Sequence, residues 1–373
     1  MRVLHVTLSF ANGGRREAIA ALAAGLAGQG VSSSLCCLDG LDSTPAERAV
    51  FADAFALDRR KLFDLRALRR LARYCADHGI DILHAHDAAS EATCALAMPF
   101  SGTPLLMSFH RTRNFESARL RDRIRNAVVG LRVGAVVTAS RERRDHFIGS
   151  NWVSPAKVEC IPLGIDLERF APDPDRRAAL RAELDLPDDA LLVGCVGHFG
   201  PEKGVDLAID AFQRVLAAHP DQPLHLVVLG RGDPDHERLV RARVRPQAAQ
   251  RIHFAGFRTD PERWFQGFDV LLHGARHEAF GLVLAEAQAC GVPVVAAAVG
   301  GIPDVVVDGA TGLLAATADA EHLAASLARL LADPPARLAM AAAASRHAAS
   351  AFSRDRYALN FLALYRRLLD GRR

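Results

Sequence analysis

The chain has 373 residues, of which 50% are hydrophobic and 24% are charged, a composition typical of folded globular proteins rather than disordered ones. The formal net charge is +3, which argues against a bulk nucleic-acid binder, because such domains carry a strong basic excess. The seven cysteines form no C-x-x-C pair, and the sequence has neither a signal-peptide pattern nor an unbroken apolar membrane span. We therefore expect a cytoplasmic protein of about two domains.

The first part of the chain alternates short apolar runs with longer helical patterns. Predicted helices include residues 17–29, which are followed by Gly30, and residues 61–78, whose leucines fall on one face. Strands are predicted at 3–8, 31–38, 80–84, 104–109 and 134–138. Strands that alternate with helices in this way predict a parallel sheet with helices on both faces.

The alternation begins again after a segment rich in proline and aspartate at 171–175, so we place a domain boundary near residue 170. Strands are predicted at 191–197, 224–229, 252–255, 270–273 and 292–297, and helices at 205–219, from 236 onward and at 281–290. Ligands of open parallel sheets bind beyond the carboxyl ends of the strands. A cleft between two such domains, lined by loops from both, is therefore the expected site.

One loop after a predicted strand carries two carboxylates around a helix start. Glu278 lies just before that helix and Glu286 lies inside it, so the two would contact different parts of an extended ligand. The free backbone N–H groups of Phe280, Gly281 and Leu282 would hold an anion, helped by the helix dipole. The alternative is that Glu278 only caps the helix and Glu286 lies on a solvated face.

Three further loops follow predicted strands. Lys203 stands where a helix opens, a position that suits a phosphate, although the spacing is not that of a Walker A loop. Residues 13–14 form a glycine turn, and His110 ends the strand at 104–109. For each, an ordinary solvated loop is the alternative. For His84 and His86, which end another strand, we favour turn formation and packing.

Together these segments resemble a known family. Glu278 and Glu286 form an E-x7-E pattern followed by C-G-V-P at 290–293, and P-E-K-G at 201–204 accompanies it. The chain resembles retaining glycosyltransferases of family 4 over nearly its whole length. The resemblance implies the α/β GT-B fold, with two Rossmann-like parallel-sheet domains facing each other across a cleft. It assigns 1–170 to an acceptor-side domain, 171–352 to a nucleotide-sugar-binding domain and 353–373 to a helix that packs back on the first domain.

The resemblance also implies roles for individual residues. Glu286 would bond the ribose hydroxyls and Glu278 the hydroxyls of the transferred sugar. Phe257 would lie beside the base, and Gly14 would close on the diphosphate from the other domain. His110 would contact the sugar or the acceptor.

The diphosphate would be held by Lys203 and by the backbone amides of residues 280–282. Two departures from the family pattern affect this interpretation. His198 stands where many members have an arginine, and Leu163 replaces a usual asparagine. Three arginines are candidates to compensate for His198, namely Arg16, Arg231 and Arg276. No D-x-D motif is evident at a strand end, so we expect no metal and no cofactor other than the donor substrate.

The resulting hypothesis is a retaining glycosyltransferase that uses a nucleotide-diphosphate sugar and a glycan or lipid-linked acceptor in cell-surface polysaccharide or glycolipid synthesis. A sugar-nucleotide epimerase on the same fold and a catalytically silent nucleotide-sugar binding protein are the alternatives. Residues 59–73 hold seven basic residues against one acid, and 111–125 hold six against two. These segments predict either docking at the anionic inner face of the plasma membrane or solvated basic helix faces.

Overall fold

The computed structural model describes residues 1–11, 13–59, 64–110 and 129–371. It divides into two compact units. Unit 1 contains Met1–Gly164 together with Ser353–Arg373, and unit 2 contains Ile165–Phe352. The chain therefore leaves unit 1 at Gly164, slightly before the predicted boundary near residue 170, and returns to it at Ser353. The predicted cleft between the domains stays a prediction.

The described residues form thirteen strands. They are β1 (Arg2–Ser9), β2 (Ser32–Gly40), β3 (Asp53–Ala56), β4 (Ile82–Ala85), β5 (Leu105–Phe109), β6 (Val133–Thr138), β7 (Val158–Cys160), β8 (Leu191–Val196), β9 (Leu224–Leu229), β10 (Ile252–Gly256), β11 (Val270–His273), β12 (Val294–Ala297) and β13 (Gly312–Ala315). Every predicted strand is present, and the short strands β3, β7 and β13 were not predicted.

The α-helices of the described residues are α1 (Gly14–Gly28), α2 (Pro45–Arg48), α3 (Leu65–Asp77), α4 (Ala88–Ser101), α5 (Arg141–Ser150), α6 (Pro174–Glu183), α7 (Val205–Ala218), α8 (Pro234–Arg241), α9 (Pro261–Phe265), α10 (Leu282–Ala289), α11 (Ile302–Val305), α12 (Ala320–Ala332), α13 (Pro334–Ala351) and α14 (Arg354–Asp370). Within these ranges, no helix is both long enough and apolar enough to cross a bilayer.

Unit 1 is built on a parallel seven-stranded sheet in the order β3-β2-β1-β4-β5-β6-β7. The predicted helix at 61–78 is described from Asp64, whose carboxylate accepts hydrogen bonds from the backbone N–H groups of Arg66 and Ala67. The helix buries Leu68 and Leu71 against the sheet, as its apolar face predicts, but Leu65 at its first turn was also placed on that face and is 58% exposed. Residues 61–63, the start of the predicted helix, lie outside the described residues.

Helix α14 completes unit 1 although it is distant in sequence. It packs against α1, where a Cβ added to Gly25 would lie 2.7 Å from the Cβ of Ala358. A larger residue at position 25 would therefore separate the two helices. Phe361 and Tyr365 of α14 are fully buried. The predicted packing of the last helix on the first domain is confirmed.

Unit 2 is built on a parallel six-stranded sheet in the order β10-β9-β8-β11-β12-β13. Its core is apolar and includes Phe212 of α7 and Leu327 of α12. In both sheets the first strand of the unit lies in the interior. Because all strands are parallel, the loops that leave them at their carboxyl ends lie along one edge of the sheet. These edges hold the predicted site residues.

Candidate active site

The loops after β8 and β11 meet at the edge of the second sheet because the two strands are neighbours. Lys203 ends a short 3-10 turn, Pro201–Lys203, directly before α7. Glu278 lies in the loop between β11 and α10. The Lys203 Nζ donates a hydrogen bond of 2.7 Å to Glu278 Oε2. Two residues that are 75 positions apart therefore form an ion pair at this edge.

Glu278 is buried, with 7% of its surface exposed. Burial by itself would raise the pKa of this carboxyl, but the His273 ring and the Lys203 ammonium outweigh it and lower the pKa to about 2. The His273 Nε2 lies 3.4 Å from Glu278 Oε2, in a geometry outside that of a regular hydrogen bond. The carboxylate is therefore ionised and held beside a cation across the ordinary pH range.

Helix α10 begins after Glu278 in the way the sequence predicts. Gly281 is its N-cap residue and has a left-handed backbone with φ of 95°, which favours glycine. No side chain caps the helix, so the interpretation of Glu278 as a capping acid is wrong. Phe280 is buried against Phe352, with ring centroids 5.6 Å apart. Leu282 is the first helical residue, so the N–H groups of the first turn face the loop that contains Glu278.

Glu286 lies in the second turn of α10 and is half-buried. Glu286 therefore lies inside the helix and Glu278 in the loop before it, as the sequence predicts. The solvated position that was the alternative for Glu286 is therefore only partly correct. Its predicted contact with ribose hydroxyls stays a prediction.

Close backbone contacts fix the two loops. Gly204 follows Lys203 with φ of 56°, and a Cβ there would lie 1.8 Å from the carbonyl oxygen of Gly274. A Cβ on Gly300 would lie 2.0 Å from the carbonyl oxygen of Glu278, which also accepts a hydrogen bond from the Gly301 N–H. Only glycine allows these approaches, so the positions of Lys203 and Glu278 depend on them.

His198 and Phe257 follow β8 and β10 at the same edge of the second sheet. His198 is exposed, and Phe257 is 45% exposed with the guanidinium of Arg231 4.5 Å from its ring centroid. The Arg231 carbonyl accepts a hydrogen bond from the Phe199 N–H, so Arg231 lies beside the loop of His198. Within the described ranges Arg231 forms no ion pair with an acidic side chain.

The other two candidate arginines are already paired. Arg276 makes a bidentate pair with Asp206, at 2.9 and 2.7 Å, and these hydrogen bonds raise its pKa. Arg16 pairs with Glu17 and Glu47 in unit 1. Of the three candidates, Arg231 is therefore the one that has no acidic partner among the described residues, and it lies beside the loop of His198.

The predicted site residues of unit 1 lie at the edge of the first sheet. Gly14 opens α1 after β1, is exposed, and has open space where a side chain would project. His110 follows β5, and its Nε2 lies 3.2 Å from the Nδ1 of His86. Burial, together with the nearby charge of Arg15, lowers the pKa of His110 to about 4. His110 is therefore a neutral ring at ordinary pH.

Comparison with known proteins identifies the family. Residues 12–169 match the family described as Glycosyltransferase Family 4, and residues 176–347 match Glycosyl transferases group 1. A D-inositol 3-phosphate glycosyltransferase of Kribbella flavida is 32% identical over 339 residues, which cover 86% of this chain and 76% of that protein. A protein of the same name from Actinosynnema mirum is 34% identical, with 83% and 77% covered. The chain is a family 4 glycosyltransferase.

Solved structures agree with this assignment at the level of the fold. HepE of Anabaena, solved in complex with UDP-glucose, has a TM-score of 0.81 at 21% identity and covers 98% of this chain and 99% of its own. Sucrose-phosphate synthase of Thermosynechococcus elongatus has a TM-score of 0.80 at 24% identity, with 99% of each chain covered. The predicted GT-B fold of the glycosyltransferase is confirmed.

The described part of the glycosyltransferase contains one cluster in which three side chains bring ligand atoms close enough to hold a metal ion. Donor atoms of His5, His84 and His86 lie within 4.8 Å of one another, and all three rings are buried. Each of their six ring nitrogens already has a hydrogen-bond partner within the protein. An ion in this cluster would have to break these bonds. Both His84 and His86 are buried, as the packing interpretation favoured from the sequence predicts, but His84 lies inside β4 and not in a turn.

Two Asp-Pro-Asp sequences of the enzyme have the D-x-D spacing. Asp173 caps α6, and Asp233, which follows β9, caps α8. Their carboxylates accept hydrogen bonds from backbone N–H groups of the helices they start. The sequence around Asp233 therefore does place a D-x-D spacing after a strand, and its first aspartate is used as a helix cap.

The basic segments are only partly described. In α3 the side chains of Arg66, Arg69, Arg70 and Arg73 are exposed on the face opposite the buried leucines. Arg59 differs from them, since it bonds Thr93 and lies 3.6 Å from Asp39. The second basic segment, 111–125, lies outside the described residues.

The sequence did not single out His273 as a site residue. It is the last residue of β11 and is 2% exposed beside Glu278. The available signal was its position at the carboxyl end of a strand, five residues before Glu278. The sequence named Arg231 only as one of three candidate arginines. Its contact with the Phe257 ring could not be predicted without the sheet order, in which β9 lies between β8 and β10.

Proposed function

We propose that this glycosyltransferase transfers a sugar from a nucleotide-diphosphate sugar to an acceptor hydroxyl with retention of the anomeric configuration. The observation that carries the proposal is the Lys203–Glu278 ion pair beside the first turn of α10. A cation and free backbone N–H groups suit a diphosphate, and a buried ionised carboxylate suits sugar hydroxyls. The site thus offers both kinds of group that such a donor needs.

The chemistry follows from where charge develops. The bond between the anomeric carbon and the diphosphate oxygen breaks, and the bond from that carbon to the acceptor oxygen forms on the same face. The acceptor proton moves to the departing diphosphate. Lys203 and the first turn of α10 stabilise the negative charge on the leaving group, so we propose that the reaction needs no metal or other cofactor.

The remaining roles follow the same scheme. Glu286 bonds the ribose and Phe257 contacts the base. His198, Arg231 and the amide of Gly14 contribute to the diphosphate, and His110 contacts the sugar or the acceptor. A uridine nucleotide is our first choice of donor because HepE, which shares the fold, was solved with UDP-glucose.

The acceptor we propose is a glycan or lipid-linked hydroxyl in the synthesis of a cell-surface polysaccharide or glycolipid. The exposed arginines of α3 support docking on an anionic membrane surface from the cytoplasm, and nucleic acid is not expected as a partner. A second candidate acceptor is an inositol phosphate, because the curated relatives at 32% and 34% identity are named for it.

A donor screen tests the proposal first. The protein is heated with UDP-glucose, UDP-N-acetylglucosamine, GDP-mannose or buffer alone, and we expect one donor to raise the melting temperature. That donor is then supplied with inositol 3-phosphate or a lipid-linked glycan, with and without EDTA, and the product configuration is read by NMR. Inversion, or loss of activity in EDTA, would contradict the mechanism.

Matched variants separate the proposal from its alternatives. Glu278→Gln should reduce transfer at least about a hundredfold while the protein stays folded. Glu237→Gln, which breaks an exposed pair with Arg241 on α8, should leave transfer unchanged. Turnover of the donor without any acceptor would favour the epimerase, and donor binding without turnover would favour the silent binding protein.

A further inference from the structure

A chain of buried hydrogen bonds runs behind His110 across four neighbouring strands of unit 1. The Oγ of Ser33 on β2 lies 3.3 Å from the Nε2 of His5 on β1. The Nδ1 of His5 lies 3.0 Å from the Nε2 of His86, which follows β4. The Nδ1 of His86 lies 3.2 Å from the Nε2 of His110, which follows β5. The strand order β2-β1-β4-β5 produces this alignment.

The chemistry of the imidazole ring makes the chain directional. A neutral ring has one N–H donor and one bare nitrogen acceptor, so the role of one nitrogen fixes the role of the other. Burial keeps the rings neutral, since it lowers the pKa of His5 to about 3 and that of His86 well below its ordinary value. All N–H groups along the chain must therefore point the same way.

We infer that His5 and His86 are positioning residues that hold His110 in one neutral tautomer and one ring orientation. The inference rests on the proposed function, in which His110 contacts the sugar or the acceptor. His86 occupies the Nε2 of His110, and the Nδ1 of His110 has no hydrogen-bond partner among the described residues. That Nδ1 is the nitrogen left for a substrate hydroxyl, and its role as donor or acceptor is set from inside the protein.

Two other uses of the chain fit the geometry less well. A proton relay needs an exit, but Ser33 is buried, and within the described ranges its hydroxyl has no side-chain partner other than His5. A metal ion would need bare nitrogens pointing at it, whereas each ring nitrogen of His5 and His86 already has a partner in the chain. The geometry of this hydrogen-bond chain therefore fits a role in orienting the His110 ring better than a proton relay or a metal site.

Nitrogen NMR of the whole protein with ¹⁵N-labelled histidine tests this inference without any substrate. The connectivity requires His5, His86 and His110 to be protonated on the same ring nitrogen, either all on Nε2 or all on Nδ1. Single substitutions of each histidine assign the signals. Different tautomers within the set, an averaged signal, a charged ring, or a stoichiometric bound metal in the purified protein would each overturn the inference.

Variants then test whether the chain controls His110. His86→Phe should convert the His110 signals to a mixture of tautomers, whereas His253→Phe, which removes a similar 3.0 Å contact with His225 in unit 2, should not change them. Should His86→Phe fail to fold, His86→Asn keeps a polar atom beside His110 and the wild-type measurement still decides. An unchanged single tautomer in a folded His86→Phe variant would overturn the inference.

The kinetic arm distinguishes positioning from general stability. In the donor assay His86→Phe should lower kcat about tenfold with little change in KM, and His86→Asn should recover part of that loss. In a His110→Ala background the same substitution should change kcat less than about twofold, because its effect passes through His110. Full additivity would overturn the inference. If the three histidines share one tautomer but the protein has no transferase activity, the proposed function is overturned. The inference that His5 and His86 hold His110 in one tautomer would still stand.

Discussion

At the scale of single residues, Glu278 is a buried carboxylate that depends on its neighbours to stay charged. A carboxylate with only 7% of its surface exposed loses most of its hydration and needs compensating groups. Lys203 at 2.7 Å and His273 at 3.4 Å supply them. Since removing one partner of a buried ion pair leaves an uncompensated charge, Glu278 and Lys203 depend on each other.

This arrangement predicts a pH-dependent contribution to stability. The pKa of Glu278 is about 2 in the folded protein and about 4.3 in an unfolded chain, so its contribution is complete above the unfolded value and is lost as the pH falls toward 2. At pH 7 the wild type should exceed Glu278→Gln in free energy of unfolding by on the order of 3 kcal/mol. Urea titrations between about pH 7 and pH 3 measure the difference, and a constant difference would contradict the assigned ionisation.

Sequence reasoning found Glu278 and Lys203 but not their contact. Both follow strands, and that was visible from the apolar runs before them. Their contact requires β8 and β11 to be neighbours, and the sheet order is set by long-range packing that no local pattern records. His273 was missed for the same reason, because burial beside a carboxylate cannot be read from its position in sequence.

At the scale of elements, the strands and helices were largely predictable because each combines an apolar period with a cap or a glycine. Asp64 and Asp233 start α3 and α8, and Gly30 follows α1 with a φ of 71°. The strands that were missed, β3, β7 and β13, are the outermost strands of the two sheets. They contain fewer buried residues than β4, β11 and β12, which are also short and were predicted.

The turn that carries Lys203 gives a prediction at this scale. Gly204→Ala would place a Cβ 1.8 Å from the Gly274 carbonyl oxygen at a positive φ, so we expect a loss of about 3 kcal/mol and a large loss of donor binding. Gly28→Ala is the matched control, because Gly28 ends α1 with open space around it. The control should raise the melting temperature slightly. Equal melting temperatures for the two variants would contradict the close contact.

At the scale of the whole molecule, the chain order and the folding units differ. Unit 1 ends at Gly164 and resumes at Ser353, so its last helix reaches it only after all of unit 2 has been made. That helix supplies buried rings, and the hydroxyl of Tyr365 lies 2.8 Å from the Nδ1 of His84 on β4. A helix was expected at residues 353–373. Its packing on the first domain was predicted from the family resemblance, because a helical pattern does not specify which sheet the helix covers.

A pair of core substitutions tests this discontinuous arrangement. Phe361→Ala in α14 removes a fully buried ring and should destabilise unit 1 by about 3–5 kcal/mol. Hydrogen exchange should then accelerate in β1, β4 and β5, whereas strands β8 to β13 keep their protection, although residue 361 is closer to them in sequence. Phe212→Ala, an equally buried ring in α7, should give the opposite pattern. If Phe361→Ala instead exposed β8 to β13 and spared β1, α14 would belong energetically to unit 2, and the division of the chain at Gly164 and Ser353 would be wrong.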